Sequence, residues 1–232
     1  MAIELLHCAS LVYDDLPCFD DSPLRRGRAA VHALHGEDLA ILAATGLTVL
    51  AFDVVASEPG GHAQLSLDLL QVIAQGAGSP CGIVAGQAWE AETTVADLRD
   101  YHRAKTGALF ESAFLAGAMA GGGDPSLWRG LGHQLGEAYQ IADDLRDVWS
   151  TPERLGKPIG QDEANGRPSA VTQLGAANCV RRIDELVTEV CARIPACDGR
   201  TELLSLIRHW SLRLLPQSRN PISAARTAAL TT

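Results

Sequence analysis

Aromatic side chains are scarce, at 5% of the 232 residues against a hydrophobic fraction of 47%. The core must therefore come from Ala, Leu, Val and Ile, a composition that suits packed helices. Strand patterning is equally thin: no segment sustains apolar–polar alternation with Val, Ile and Thr enrichment, so strands are not needed. Basic residues are outnumbered 19 to 28, for a net charge of -9, and are scattered apart from Arg25-Arg26-Gly27-Arg28. That balance excludes the basic face of a nucleic-acid binder and leaves a local patch suited to a small anion. The six cysteines form no Cys-x-x-Cys pair and have no His at zinc spacing. They read as reduced thiols of a cytoplasmic protein. No run reaches the roughly 18 uninterrupted apolar residues of a membrane span, and Glu4 and His7 stand where a signal peptide would be basic.

Apolar residues recur at helical spacing in 3–10, 39–55, 65–74, 98–119, 131–148, 171–194 and 203–215, which predicts an all-α bundle. Gly and Pro clusters separate these runs, mostly over short distances. The long polar segment 156–168 follows an acidic cluster and is a candidate lid. One domain is expected over residues 1–215, followed by a fraying tail, 216–232. The start, Met1-Ala2-Ile3-Glu4, reads as helix interior with no cap before it. It looks like a chain that begins partway through its domain.

Two acidic clusters stand out: Asp14-Asp15-Leu16-Pro17-Cys18-Phe19-Asp20-Asp21 and Asp143-Asp144-Leu145-Arg146-Asp147. Seven carboxylates in two short stretches repel one another unless a cation sits between them, and an all-oxygen ligand set selects Mg2+. Asp143 and Asp147 share one helix face, about 6 Å apart along the axis. Asp14 and Asp20 would point to different sides of an ideal helix, but Pro17 breaks the ladder and lets the chain bend the later aspartates round. Arg25 and Arg26, shortly after, are fork-shaped cations suited to bidentate phosphate contact.

These residues, with Lys105-Thr106-Gly107-Ala108-Leu109-Phe110, Tyr139-Gln140-Ile141-Ala142-Asp143-Asp144 and Gly156-Lys157-Pro158-Ile159-Gly160-Gln161-Asp162, closely resemble the trans-isoprenyl diphosphate synthases. Leu6-His7-Cys8-Ala9-Ser10-Leu11 and His102-Arg103-Ala104-Lys105 resemble bacterial geranylgeranyl diphosphate synthases of carotenoid pathways in particular. The resemblance implies an isoprenoid synthase-type helical bundle with a central cavity, the aspartate motifs facing each other across its mouth. It implies Asp14, Asp20 and Asp143 as direct magnesium ligands, with Asp15, Asp144 and Asp147 supporting. Arg25, Lys105 and Lys157 would hold the allylic diphosphate, His7 and Arg26 would face isopentenyl diphosphate, and Thr106 and Gln140 would turn oxygen dipoles towards a developing carbocation. Ala9 and Ser10, five and four positions before Asp14, are small, so the shaft for the growing chain stays open to a C20 product. Leu6 and Phe52 are expected as deeper floor residues.

Members of that family normally carry two or three further helices before residue 3, ending in a basic segment that binds isopentenyl diphosphate. Tyr13 replaces their usual His before the first aspartate, Thr45 stands where relatives often have Asp, and Arg167 replaces a common Lys. The leading expectation is an Mg-dependent prenyltransferase making geranylgeranyl diphosphate, working as a homodimer or beside a full-length synthase. The competing one is a non-catalytic or regulatory subunit of a heteromeric synthase. A class I terpene cyclase fits less well, because such enzymes usually carry an Asn-Ser/Thr-Glu motif as their second cluster.

Overall fold

The computed structural model describes residues 1–57, 62–92, 97–149 and 169–215. The expected lid at 156–168, Lys157, Arg167 and the tail lie outside those residues.

The described residues are helical almost throughout. Helix α1, Ala2–Asp14, runs from Met1 to the first acidic cluster. A two-residue hairpin follows, β1 Leu24–Arg25 against β2 Arg28–Ala29. It is a small departure from the expectation that no strand is needed, and its function is to turn the Arg pair back toward α1. Helices α2 (Val31–His35), α3 (Glu37–Ala56) and α4 (Ala63–Ala77) come next. Helix α5, Ile83–Ala91, has no counterpart in the periodicity reading, because its nine residues include Gly86 and too few large apolar side chains to print a stripe. The run 98–119 is one rod in three parts: α6 (Leu98–His102), a π-turn over Arg103–Gly107, and α7 (Ala108–Ala120). After α8, Leu131–Trp149, the expected helix 171–194 is split at Gly175 into α9 (Ala170–Leu174) and α10 (Ala176–Arg193), and α11 is Arg200–Leu214.

Two apolar clusters hold the described residues together. In the larger, Leu131, Leu135, Ile141 and Leu145 of α8 pack against Ile183, Leu186 and Val190 of α10. In the smaller, Ala2 and Leu6 of α1 meet Ala51, Ile73 and Leu109 from α3, α4 and α7. The fully buried members of each are aliphatic apart from Cys179 and Cys191, but the few aromatics are concentrated at the margin of the larger cluster, where Phe110, Phe114, Trp128, Tyr139, Trp149 and Trp210 pack against it. All six cysteines are free thiols.

Helix α3 is unusual. It packs against α1, α2 and α4, yet Leu39, Leu42, Val49 and Leu50 along its other side are 45–65% exposed. With a mean hydropathy of 2.2 it is also long and apolar enough to cross a membrane by length and composition. The count of uninterrupted apolar residues misses this because Thr45, Gly46, Thr48 and Asp53 break the run.

Candidate active site

Helix α1 presents two different faces. Ala2, Leu6 and Ala9 are buried, whereas Ile3, His7, Ser10, Leu11 and Asp14, spaced three or four apart, line one side of a cavity of about 470 Å³. The expected chain-length pair is therefore divided: Ser10 stands in the wall and Ala9, 2% exposed, lies outside the lining. Leu6 and Phe52, expected as floor residues, likewise belong to the smaller apolar cluster. The 100° step between successive helix residues separates Ala9 from Ser10. Leu109, Phe110 and Ala113 of α7 form the facing apolar wall.

At the end of α1 the backbone folds back over Pro17. The Asp20 N–H donates to the Asp14 carbonyl at 3.0 Å, and the Ser22 N–H donates to that of Asp15 at 3.2 Å. That turn brings Asp20 beside Asp14 in the cavity lining. Asp15 points the other way. It is buried, and it accepts from Nε of Arg25 at 2.8 Å, while Nη2 of the same guanidinium reaches Asp14 at 3.3 Å. Burial raises the Asp15 carboxyl above its ordinary value despite the opposing pull of Arg25. Arg26, next in the hairpin, has φ +53°, a left-handed conformation uncommon for a non-glycine residue, and its side chain lines the cavity. Burial, with Arg26 and Arg25 nearby, lowers His7 and favours the neutral imidazole.

The second cluster is set by how closely α8 crosses the rod below it. A Cβ on Gly136 would lie 2.4 Å from the Gly107 Cα, so only glycine allows this approach. One turn on, Gln140 then meets the π-turn: Oγ1 of Thr106 donates to Oε1 of Gln140 at 2.8 Å. Nε2 of Gln140 donates to Asp144 at 3.0 Å, and the backbone N–H of Ala170 donates to the other oxygen of that carboxylate at 2.7 Å. Asp144 is thus a buried bracket, like Asp15. Asp143 and Asp147 instead line the cavity, Asp143 paired with Arg146 at 3.1 Å.

Lys105 completes the mouth. The π-turn carries both Lys105 and Thr106, and such turns are frequent at functional sites. The Lys105 Nζ lies 3.6 Å from Asp14 and is ion-paired with Glu90. Burial alone would lower the ammonium, but Asp14, Tyr101 and Glu90 outweigh it and hold it above its ordinary value. Arg146 and Glu90 both escape the sequence reading. Arg146 sits inside the aspartate motif, where the surrounding carboxylates draw the attention. Glu90 lies on a helix with no visible periodicity.

Of the carboxylates that line the cavity, those of the two clusters, Asp14, Asp20, Asp143 and Asp147, are an all-oxygen donor set that fits a hard divalent cation. Among the described residues no three His, Cys, Asp or Glu side chains converge into a site that could hold a metal ion. Diphosphate oxygens would have to complete the coordination, as expected for Mg2+.

The polyprenyl synthetase family model matches residues 1–203. Geranylgeranyl diphosphate synthase of Cereibacter sphaeroides is 45% identical over 216 residues, covering 93% of this chain and 75% of the relative. That of Rhodobacter capsulatus is 42% identical over 215 residues, covering 93% and 74%. Among solved structures, a geranyltransferase from Helicobacter pylori complexed with magnesium and isoprenyl diphosphate superposes with TM-score 0.76 at 27% identity, covering 91% of this chain and 71% of that one. A FPP/GFPP synthase from Zymomonas mobilis gives TM-score 0.76 at 31% identity, covering 90% and 74%. Sequence and fold thus agree over most of the length, and the chain belongs to the polyprenyl synthetase family.

Proposed function

We propose that this chain is a cytoplasmic prenyltransferase that condenses an allylic diphosphate with isopentenyl diphosphate to give geranylgeranyl diphosphate, in carotenoid or related isoprenoid synthesis. The observation that carries the reading is a single cavity whose mouth holds carboxylates of both aspartate clusters beside Arg25 and Lys105, and whose body is apolar. Diphosphate belongs at such a mouth and hydrocarbon in such a shaft.

Asp14, Asp20, Asp143 and Asp147 would hold Mg2+, with Asp15 and Asp144 bracing them from behind. When bound, Mg2+ supplies Lewis-acid stabilisation of the leaving diphosphate. Arg25 and Lys105 bind the allylic diphosphate and oppose its growing charge as the C–O bond breaks. The resemblance assigns Lys157 to the same task. Thr106 and Gln140 hold their oxygens in place through the hydrogen bond they share and face the allylic cation with dipoles. His7, neutral at pH 7, and Arg26 orient isopentenyl diphosphate. Its double bond attacks the cation, and the final proton passes to the released diphosphate, so no protein nucleophile is required.

The exposed apolar side of α3 supports a homodimer or a heteromer with a full-length synthase. The test of function is turnover of radiolabelled isopentenyl diphosphate with farnesyl diphosphate and Mg2+. Asp14→Ala and Asp143→Ala should each lower it at least about 100-fold with little loss of stability. Normal turnover in either variant would remove that carboxylate from the site.

A further inference from the structure

Lys105 stands between two carboxylates of different character. Asp14, at 3.6 Å, belongs to the cavity mouth. Glu90 lies behind the wall: it is absent from the lining, its side chain is 4% exposed, and it is ion-paired with the same ammonium. It also accepts the hydroxyl hydrogen of Tyr101, whose ring sits 5.9 Å from Nζ. Helix α5 reaches this place because Gly86, one turn before Glu90, packs directly on the π-turn. A Cβ there would come within 2.4 Å of the Lys105 backbone nitrogen. Gly86 brings the helix in and Glu90 meets the tip of the side chain.

A buried carboxylate beside a site for a polyanion is unfavourable for anion binding unless it does something else. Lysine is a point charge on a four-carbon stem, and without an anchor its ammonium would settle on Asp14. We infer that Glu90 is a positioning residue that acts through Lys105, holding the ammonium at the cavity wall where it meets the diphosphate and keeping it from closing over Asp14. The inference rests on the function proposed above.

The two roles open to Glu90 have opposite signs. If it contributes only negative charge, Glu90→Gln should tighten anion binding. If it positions Lys105, the same change should weaken it. The expected result, by calorimetry with methylenediphosphonate and Mg2+, is affinity lower by about 10-fold in Glu90→Gln. Glu90→Asp should recover part of it, and kcat should fall while KM for isopentenyl diphosphate stays put. In a Lys105→Met background Glu90→Gln should have no further effect on binding, as required of a residue acting through another. Unchanged or tighter binding in Glu90→Gln, or an equal loss in both backgrounds, overturns the inference. If Glu90→Gln folds poorly, Tyr101→Phe, which frees Glu90 from its hydroxyl, decides by the same binding assay: a smaller loss supports the inference and none refutes it. Wild-type turnover separates the two claims. Condensation with a Glu90-insensitive site sinks the inference alone, and Glu90-dependent binding without condensation sinks the function alone.

Discussion

At the scale of single residues the site sorts its aspartates by direction rather than by motif position. Pairs adjacent in sequence, Asp14 with Asp15 and Asp143 with Asp144, divide the work: the first faces the cavity and the second is buried as a brace. The same one-residue step separates the two candidates for chain-length control. Ser10→Phe should shorten the product toward C15, because the ring enters the cavity. Ala9→Phe should instead overpack the protein and cost about 1 to 3 kcal/mol. Product chromatography and denaturant melts distinguish the two, and C15 from Ala9→Phe alone would reverse the assignment. Two departures from the family pattern, Tyr13 and Thr45, meet in space: their hydroxyls share a hydrogen bond of 2.9 Å. A neutral pair there ties the end of α1 to α3 without adding charge beside Asp14. His102 supplies a pH dependence. Burial, then Lys105, pushes its imidazole down to about 4, and Asp144, at 3.9 Å, is too far for a hydrogen bond. Below the unfolded value the denatured chain takes up a proton that the native chain refuses. Stability is thus full above about pH 6.5 and falls toward pH 4, by up to about 3 kcal/mol. The stability difference between wild type and His102→Gln should shrink over that window. A constant difference would show that His102 titrates normally.

At the scale of elements, the helices that carry the aspartates were legible because each is a long amphipathic run ending in a charge cluster. Helix α5 was not, since a short helix packed through Gly86 needs no apolar stripe. The bend after Asp14 was legible from Pro17. The hairpin was not, because two residues per strand leave no alternation to see. The face of α1 turned to the cavity was half legible: its period is plain, but which of two adjacent stripes meets the core depends on α3 and α4. Close approach is the property sequence hides best. Gly136→Ala should push α8 off the π-turn, cost about 1 to 3 kcal/mol or more, and pull Gln140 away from Thr106. Turnover should therefore fall even under conditions where the variant remains folded by circular dichroism. Full activity in the folded variant would show that the Thr106–Gln140 contact tolerates the shift.

At the scale of the whole molecule, the cavity is bordered by helices from both apolar clusters, and α3, whose residues are absent from its lining, keeps one side exposed. That side concentrates Leu39, Leu42 and Val49 on one stripe, an arrangement suited to a partner subunit. Leu42→Glu should lower the mass measured by light scattering toward that of a monomer and raise solubility. An unchanged mass would mean that association, if present, uses another surface. Charge has the opposite distribution. A chain with net charge -9 gathers Arg25, Arg26, Lys105 and Arg146 at one opening, beside Asp14, Asp20, Asp143 and Asp147, so anionic substrates should be steered there only when Mg2+ offsets those carboxylates, and the steering should weaken with salt.

The π-turn between α6 and α7 bears on how this chain can change length. A π-turn holds one residue more than an α-turn needs, so it is a stored insertion. Removing Ala104 should let the rod relax into continuous α-helix while the segments on either side of the gap keep nearly their original phase. Tyr101, His102 and α7 would keep their places, while Lys105 and Thr106, inside the rebuilt turn, would leave Glu90 and Gln140. Among single-residue deletions along 98–120, those within 103–107 should therefore be the mildest for folding, the rod remaining helical, and among the most damaging for catalysis, a pattern that a deletion scan read by both melting and turnover would reveal.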